Sequence, residues 1–200
     1  TNPVVGNREP DFIGGINNTL NYKNISLSFL LDIRKGGDVY NGTEYFLVVN
    51  GLSKRTLLND RQSVTVTGVN SQTGADFTQT YEAGQTYTIG STTVSGVDMI
   101  QRYWSNYAAN SMNFLTSVNW LKLRSLSLTY DFSNVVKNKK VIKGISATAV
   151  GTNLFTWTNY KGMDPEVSAA GGTGGSGSTG IDYLGVPAVS SVTFGLNITF

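Results

Sequence analysis

The alternation of side chains in the last eleven residues, SSVTFGLNITF, constrains this sequence more than any other feature. Apolar residues occupy every second position there, and small or polar residues occupy the positions between them. The apolar members are Val192, Phe194, Leu196, Ile198 and Phe200. A period of two predicts a β-strand with one apolar face and one polar face. A soluble domain is expected to fray at such an end unless another strand holds it.

Two kinds of fold use a strand of this type. In an outer-membrane β-barrel the last strand pairs with the first, with its apolar face toward lipid and its polar face toward the lumen. In a soluble β-sandwich the apolar face packs against a second sheet. A final strand ending in Phe also resembles the signal by which membrane barrels are recognised for insertion. We therefore interpret the apolar row of this strand as a lipid-facing assembly signal, and the sandwich stays open.

The composition excludes several classes of function. The chain has 14% charged residues, against about 25% in ordinary globular proteins. Its formal net charge of +2 gives no argument for a nucleic-acid partner. Because neither Cys nor His is present, a Ser-His-Asp triad, a Cys-His pair and the commonest zinc sites are excluded. We predict no catalytic residue, no metal ligand and no cofactor, and we expect that the chain is not an enzyme.

Alternation along the rest of the chain predicts an all-β fold with about five antiparallel strands. They are predicted near residues 12–22, 25–35, 120–132, 145–157 and 190–200. On the second strand, Asp32 and Arg34 fall on the polar parity, so we predict that they line a lumen. No apolar run reaches the roughly 20 residues of a membrane helix.

The third predicted strand changes parity in its middle. Leu121 and Leu123 lie on the parity opposite to that of Leu126, and basic residues stand between them. A β-bulge near Arg124 or Ser125 would bring the two halves onto one face. Without a bulge, the basic residues Lys122 and Arg124 would lie at the level of the lipid headgroups. Both interpretations stay open.

Two long connections, near residues 37–118 and 159–189, alternate with short turns. Within the first we predict a short helix over residues 44–50 and a strand-like piece over residues 63–69. All long connections would then lie on one side of the sheet, which is the pattern of extracellular loops in outer-membrane barrels. Aromatic girdles are predicted from Tyr22, Phe132 and Phe200 at one membrane interface and from Trp120, Trp157 and Tyr160 at the other.

Five strands are too few for a membrane barrel, which has at least about eight. An open sheet edge in lipid would leave backbone groups unpaired. We therefore expect residues 1–200 to be the C-terminal part of a larger transmembrane β-barrel. A plug domain is absent from this sequence.

Several stretches together resemble one family. They are Pro10–Asn41, Trp120–Ser133, Gly151–Ser168 and the terminal VTFGLNITF, and they resemble the SusC/RagA family of TonB-dependent outer-membrane transporters. The third stretch contains a family-motif loop, defined by Tyr160, Gly162, Asp164, Pro165 and Glu166. Each motif is weak alone, and their specificity comes from their combination.

The resemblance implies a barrel of about 22 strands in the outer membrane of a Gram-negative, Bacteroidetes-type bacterium. It implies import of glycans or peptides together with a SusD-like surface lipoprotein. TonB would act only through the missing N-terminal part, and the barrel-assembly machinery would insert the protein among outer-membrane lipids. In that setting this chain would supply wall strands and the closing strand, and no nucleic acid would be a partner.

Two groups of residues have more than one interpretation. Asp164 and Glu166 could be the acid and base of a glycosidase, but a loop-shaping role is favoured. Tyr103, Trp104 and Tyr107 could stack on sugar rings at the extracellular side, although a girdle or lipoprotein contact is favoured. The alternative function for the whole chain is a soluble all-β carbohydrate-binding or adhesin-like module.

Overall fold

A computed structural model describes residues 4–135, 141–166 and 180–200 of the chain. The strands in chain order are β1 (Phe12–Tyr22), β2 (Ile25–Lys35), β3 (Asp38–Asn41), β4 (Ser63–Val69), β5 (Asp76–Glu82), β6 (Thr86–Ile89), β7 (Thr92–Ser95), β8 (Leu115–Ser117), β9 (Trp120–Asp131), β10 (Gly144–Thr158), β11 (Ile181–Asp182) and β12 (Ser191–Thr199). The helices are α1 (Gly42–Val49) and α2 (Gly96–Ala109), with 3₁₀ segments at Lys54–Arg61, Ser111–Phe114 and Ser133–Val135. The prediction of an all-β fold with antiparallel sheets is confirmed.

The chain divides into two compact units. One consists of Thr1–Val39 with Thr116–Phe200, and the other of Tyr40–Leu115. We call them the sheet unit and the inserted unit. Within the described ranges, no helix has the length and apolar character needed to cross a membrane.

The sheet unit is built on a five-stranded antiparallel sheet with the order β1-β2-β9-β10-β12. Each of these five strands therefore pairs with the one that precedes it or follows it in this series along the chain. The outer edges of β1 and β12 carry no further strand among the described residues. Three short strands form a separate small sheet with the order β11-β3-β8.

The register collects apolar side chains on one face of the large sheet, which we call the apolar face. Directly opposed pairs such as Leu20 and Leu27 lie on the same side of a sheet, and this pairing continues across all five strands. The face is open: Phe194 is 79% exposed, Leu196 67% and Leu128 49%. A contiguous apolar surface of this extent marks a membrane or protein contact. A soluble sandwich would require a second sheet over this face, and its side chains are instead exposed.

A β-bulge explains the parity change in β9. Leu30 pairs with Ser125 and Leu31 pairs with Leu123, so Arg124 is left without a partner on β2. The extra residue brings Leu123 onto the apolar face beside Leu126. Lys122 lies on the opposite, polar face and is only 4% exposed. The bulge interpretation is therefore correct, and the placement of Lys122 and Arg124 at the headgroup level is wrong.

One of the predicted aromatic girdles is also wrong in part. Trp157 lies on the apolar face and is 54% exposed. Trp120 and Tyr160 are buried and form a core cluster with Val39 and Val118. The physical reason is parity, because Trp120 pairs with Arg34 on the polar face.

The inserted unit contains α1, the hairpins β4-β5 and β6-β7, and α2. Its core consists of Val48, Ala108 and Phe114 with aromatic side chains packed around them. The long connection predicted over residues 37–118 therefore holds a compact unit in its middle. The predicted strand-like piece coincides with β4, and the predicted short helix overlaps α1. Helix α2 was not predicted, although Ser95 caps it by accepting a hydrogen bond from the amide of Asp98 at 3.1 Å.

Candidate functional site

Charged side chains from β2, β9 and the loop after β10 meet on the polar face of the sheet. Lys122 points to this face because alternation along β9 places it opposite the apolar row. Its Nζ donates to Oδ1 of Asp164 at 2.7 Å and to Oε2 of Glu166 at 2.6 Å. A buried ammonium group is thus neutralised by two carboxylates, as burial of a charge requires.

Arg124 joins the same group from the bulge. Its Nη1 donates to Oε2 of Glu166 at 2.7 Å, and its Nη2 donates to Oε1 of that carboxylate. Its Nε donates to Oδ2 of Asp32 at 2.8 Å. The pair with Glu166 is bidentate, the strongest geometry for an arginine and a carboxylate. We call Asp32, Lys122, Arg124, Asp164 and Glu166 the ion network; it contains two cations and three anions.

The ion network fixes the family-motif loop to β9. Asp164 also accepts the amide hydrogens of Glu166 at 3.0 Å and of Ala188 at 3.2 Å. Pro165, between the two acidic residues, is buried. The loop is therefore tied to the strand through side chains and to the segment before β12 through the backbone.

The protonation behaviour of the two acidic loop residues speaks against catalysis by them. Burial alone would raise the pKa of Asp164, but hydrogen bonds from Lys122 and from two amides bring it below its ordinary value. Burial would likewise raise the pKa of Glu166, and its bonds to Arg124 and Lys122 lower it below its ordinary value. A glycosidase acid needs a raised pKa. The geometry supports the loop-shaping interpretation of this pair.

A second contact holds the start of the same loop. The hydroxyl of Tyr160 donates to Oδ2 of Asp182 at 2.6 Å, and both residues are buried. Burial, and then this hydrogen bond to Asp182, raises the pKa of the Tyr160 hydroxyl, which stays protonated as the donor. A Cβ at Gly162 would lie 2.2 Å from the Tyr160 ring and 2.7 Å from the Asp182 carboxylate. Glycine at position 162 therefore permits the close approach of the backbone to the Tyr160 ring and the Asp182 carboxylate.

Trp120 lies beside both cations of the ion network. Its ring centroid is 5.6 Å from Nζ of Lys122 and 5.4 Å from Cζ of Arg124. Cation–π contacts at these distances are favourable, and more so when the cation is shielded from water. Sequence reasoning assigned Trp120 to a girdle and left Lys122 and Arg124 outside the candidate sites. The available signal was the presence of basic residues inside a predicted membrane strand.

The predicted lumen pair is separated in the structure. Asp32 belongs to the ion network through Arg124. Arg34 instead donates to the backbone oxygens of Gly36 and Arg8, each at 3.1 Å. Both lie on the polar face, and their role as lumen-lining residues stays a prediction.

The predicted aromatic contacts lie on α2 of the inserted unit. Tyr103, Trp104 and Tyr107 are half-buried, with edge-to-face ring distances of 5.1 Å and 5.5 Å along the series. Tyr107 also contacts the buried Phe114 at 5.9 Å. Packing thus occupies part of each ring, and a contact with sugar or lipoprotein stays a prediction.

The terminal apolar row lies along β12 on the apolar face, and its side chains are exposed. Val192, Phe194, Leu196 and Ile198 pair in register with Gly151, Ala149, Ala147 and Ile145 of β10. Phe200 follows the strand, and its backbone oxygen accepts a hydrogen bond from Lys143 at 3.1 Å. Its role as an assembly signal stays a prediction. In the described ranges no group of His, Cys, Asp and Glu could hold a metal ion.

Comparison with known proteins gives three relatives from Formosa agariphila. TonB-dependent receptor P39 is 28% identical over 198 residues, which cover 98% of this chain and 17% of the receptor. TonB-dependent receptor P26 is 27% identical over 202 residues, covering 98% of the chain and 18% of the receptor. TonB-dependent receptor P3 is 26% identical over 199 residues, covering 98% of the chain and 17% of the receptor. No protein-family model matches the chain.

A sheet with an open apolar face and an ion-paired polar face has the pattern expected for the wall of an outer-membrane β-barrel protein. The three matches support a more particular assignment, to a segment of a TonB-dependent receptor. The chain spans less than a fifth of the length of these relatives. The predicted outer-membrane localisation is confirmed, and the source of the relatives fits the Bacteroidetes origin that the resemblance implies. The printed names of the three relatives are those of receptors, in agreement with the prediction that the chain is not an enzyme.

Proposed function

We propose that the chain forms wall strands and the closing strand of a SusC-like importer that takes up glycans or peptides with a SusD-like lipoprotein. The observation that carries this proposal is the division of one sheet into an exposed apolar face and a polar face with a buried ion network. The relationship to TonB-dependent receptors supports import as the activity.

The physical work of the wall is to keep backbone polar groups away from lipid. Within the sheet, neighbouring strands satisfy one another's amide and carbonyl groups. The outer edges of β1 and β12 would need further strands, because each unpaired group in lipid costs several kcal/mol. In the proposed barrel these further strands come from the rest of the receptor.

The ion network has a defined task in this proposal. It holds the family-motif loop against the polar side of β9 through Lys122 and Arg124. A loop fixed in this way leaves the lumen beside it free for the plug and the substrate. We expect the network to be structural in the resting transporter, with Asp32 setting the orientation of Arg124.

The proposed partners follow from the same assignment. TonB would supply energy through a part of the receptor outside this chain, and the barrel-assembly machinery would read the terminal apolar row. The inserted unit connects β2 to β9, and we propose that it lies on the extracellular side and contributes to the surface for the lipoprotein. Outer-membrane lipid would cover the apolar face.

Uptake by cells tests the proposed activity. A strain that lacks the full-length gene would be compared with its complemented parent for uptake of labelled oligosaccharides and of labelled peptides. Loss of uptake of one class, restored by the full-length gene and not by a variant without its TonB-contacting segment, is the expected result. Unchanged uptake of both classes in the deletion strain would contradict the proposal.

Purification of the tagged receptor from outer membranes tests the partnership. A lipoprotein that copurifies at a stoichiometric amount is the expected result. A receptor that remains without such a partner after gentle solubilisation would contradict that part of the proposal.

A further inference from the structure

The inserted unit contains a cavity that the wall function does not use. Its volume is about 530 Å³, within the range of about 300–1,000 Å³ that is usual for small-molecule sites. The cavity lies between the end of α1 with the segment after it and one side of α2. All of its lining residues belong to the inserted unit.

Aliphatic side chains form one part of the lining of this pocket. Val48 and Ile100 are buried at its floor, and Trp104 contributes an aromatic side. Leu52 and Val97 line it while remaining exposed to 72% and 48%. A pocket of this kind gains free energy by removing an apolar side chain from water.

The cationic side chain of Arg61 is part of the lining of the same pocket. Nη2 of Arg61 donates to the backbone oxygen of Gly51 at 2.6 Å, which holds the guanidinium group at the lining. Within the described residues, no carboxylate lies within ion-pair distance of Arg61, whereas Arg55 pairs with Glu44 at 3.1 Å. A guanidinium group has five N–H donors in a fork that matches a carboxylate.

The backbone around Arg61 is unusual. Asn59, Asp60 and Arg61 have φ angles of 48°, 51° and 62°, three successive residues in the left-handed region. Asn and Asp enter this region more readily than other residues, so the strain falls on Arg61. Such strain concentrates at binding sites. The strained run directs Arg61 back toward Gly51 and the pocket.

Polar groups of α2 complete the lining. Gln101 and Ser105 are one helical turn apart and therefore lie on the same side of the helix. Their side chains make no hydrogen bond within the described part of the chain. An amide and a hydroxyl in these positions could bond to a peptide group held above the aliphatic floor.

We propose that this pocket binds the C-terminal end of a short apolar peptide. The terminal carboxylate pairs with Arg61, the last aliphatic side chain lies against Val48, Ile100 and Trp104, and a peptide group bonds to Gln101 or Ser105. The neutral hydroxyl groups of a glycan would neither bury apolar surface against the aliphatic side chains nor form an ion pair with Arg61. The inference deepens the proposed function by choosing peptides over glycans, and it rests on that function only for the role of the pocket in import.

Calorimetric titration of the full-length receptor in detergent tests the pocket itself. The probes are leucyl-leucine, the same dipeptide with a C-terminal amide, and octanoate. The variants are Arg61→Gln and, as a matched control outside the pocket, Arg102→Gln. A second pair is Leu52→Ala at the pocket rim with Leu57→Ala as its exposed control, since Leu57 is not part of the lining.

The expected result is a preference for the free carboxylate that depends on Arg61. In the unchanged receptor, leucyl-leucine should bind about tenfold or more tightly than its amide, as expected for loss of a charge-assisted bond. Arg61→Gln should abolish this preference, and Leu52→Ala should weaken binding of both dipeptides. The two control variants should bind like the unchanged receptor.

Three results would overturn the inference. They are equal binding of the dipeptide and its amide, binding unaffected by both Arg61→Gln and Leu52→Ala, and octanoate binding as tightly as leucyl-leucine. Binding is measured without TonB or cells, so this outcome is separable from failure of import. Peptide uptake with no binding at the pocket would overturn the pocket alone.

Discussion

Replacement of Lys122 by methionine should release the family-motif loop from β9 without unfolding the sheet. Lys122 is 4% exposed, and its Nζ is the cation nearest to Asp164, at 2.7 Å. Methionine retains much of the side-chain length and removes the charge. Asp164, whose side chain is 10% exposed, would then be left without an ionic partner. Glu166 would keep its bidentate pair with Arg124.

The size of the effect follows from the burial of the pair. Removal of one partner of a buried ion pair costs about 3–5 kcal/mol. We expect about 3 kcal/mol, because Glu166 retains a partner and its side chain is 28% exposed. The loss should be local, since the strands remain held by their own backbone hydrogen bonds.

Hydrogen exchange of the full-length receptor in detergent measures this local opening. The amides of Glu166 and Ala188 donate to Asp164, so their exchange should accelerate on the order of a hundredfold for a change of about 3 kcal/mol. Amides within β9 should keep their protection. Lys161→Met, in the same loop but exposed, is the control and should leave exchange unchanged.

A double variant separates the ion pair from simple loss of a side chain. Adding Asp164→Asn to Lys122→Met removes the orphaned charge. The amides of Glu166 and Ala188 bond to different oxygens of Asp164, so the single carbonyl oxygen of Asn keeps an acceptor for one of them. We expect the double variant to exchange more slowly than Lys122→Met alone. Equal exchange in Lys122→Met and Lys161→Met would refute the reasoning, because the network would then contribute nothing to holding the loop.

Three further predictions concern pH, packing and lipid. The loop carboxylates of the ion network have lowered pKa values, so their stabilisation should be complete above the ordinary carboxylate range and lost as pH falls through the lowered values. The quantity to follow is the protection factor of the loop amides, which removes the intrinsic rise of exchange with pH. A protection factor that decreases as pH rises above about 5 would contradict this. Gly162→Ala should destabilise the folded protein by about 1–3 kcal/mol and so lower the midpoint temperature of thermal unfolding. Gly84→Ala should leave that temperature unchanged, because no atom lies within 4 Å of the added Cβ. Equal midpoint temperatures for the two variants would contradict the prediction. Leu196→Lys on the apolar face should destabilise the membrane-inserted protein by about 2–4 kcal/mol if the residue lies near the bilayer midplane. This variant should show a smaller folded fraction on unheated gels, and Asn197→Lys on the polar face should not. Equal folded fractions for the two variants would contradict the prediction.

The long strands were predictable because alternation is a local consequence of the pleat. The strand over Ile25–Lys35 has the bounds that alternation predicts, and β12 differs from its prediction by one residue at each end. The bulge was also within reach, since the parity change in β9 leaves few ways to keep one apolar face. Once the bulge is placed at Arg124, parity alone puts Trp120 on the polar face and removes it from a girdle.

The ion network could not be predicted from spacing. Lys122 and Asp164 are 42 positions apart, and their meeting depends on how the loop after β10 folds back onto β9. Their charges could be counted in the sequence, but a partner could not be chosen without the register. Basic residues within a membrane strand indicated only that some partner had to exist.

Helix α2 was missed for a different reason. Its surroundings are rich in Gly, Thr and Ser, a composition typical of loops. The local signal was nevertheless present, because Ser95 is followed three positions later by Asp98, an arrangement close to a capping box. The pocket could not be predicted without this helix, because five of its twelve lining residues lie on α2.

Labelling of single cysteines along β12 tests the central claim that this sheet is a membrane wall. The described chain contains no cysteine, so positions 192 to 198 can be changed one at a time in a full-length receptor without other cysteines. A water-soluble maleimide would be applied to intact outer membranes. The account predicts strong labelling at Thr193, Gly195 and Asn197 and weak labelling at Val192, Phe194 and Leu196. Uniform labelling along the strand would contradict the account, because both faces would then lie in water.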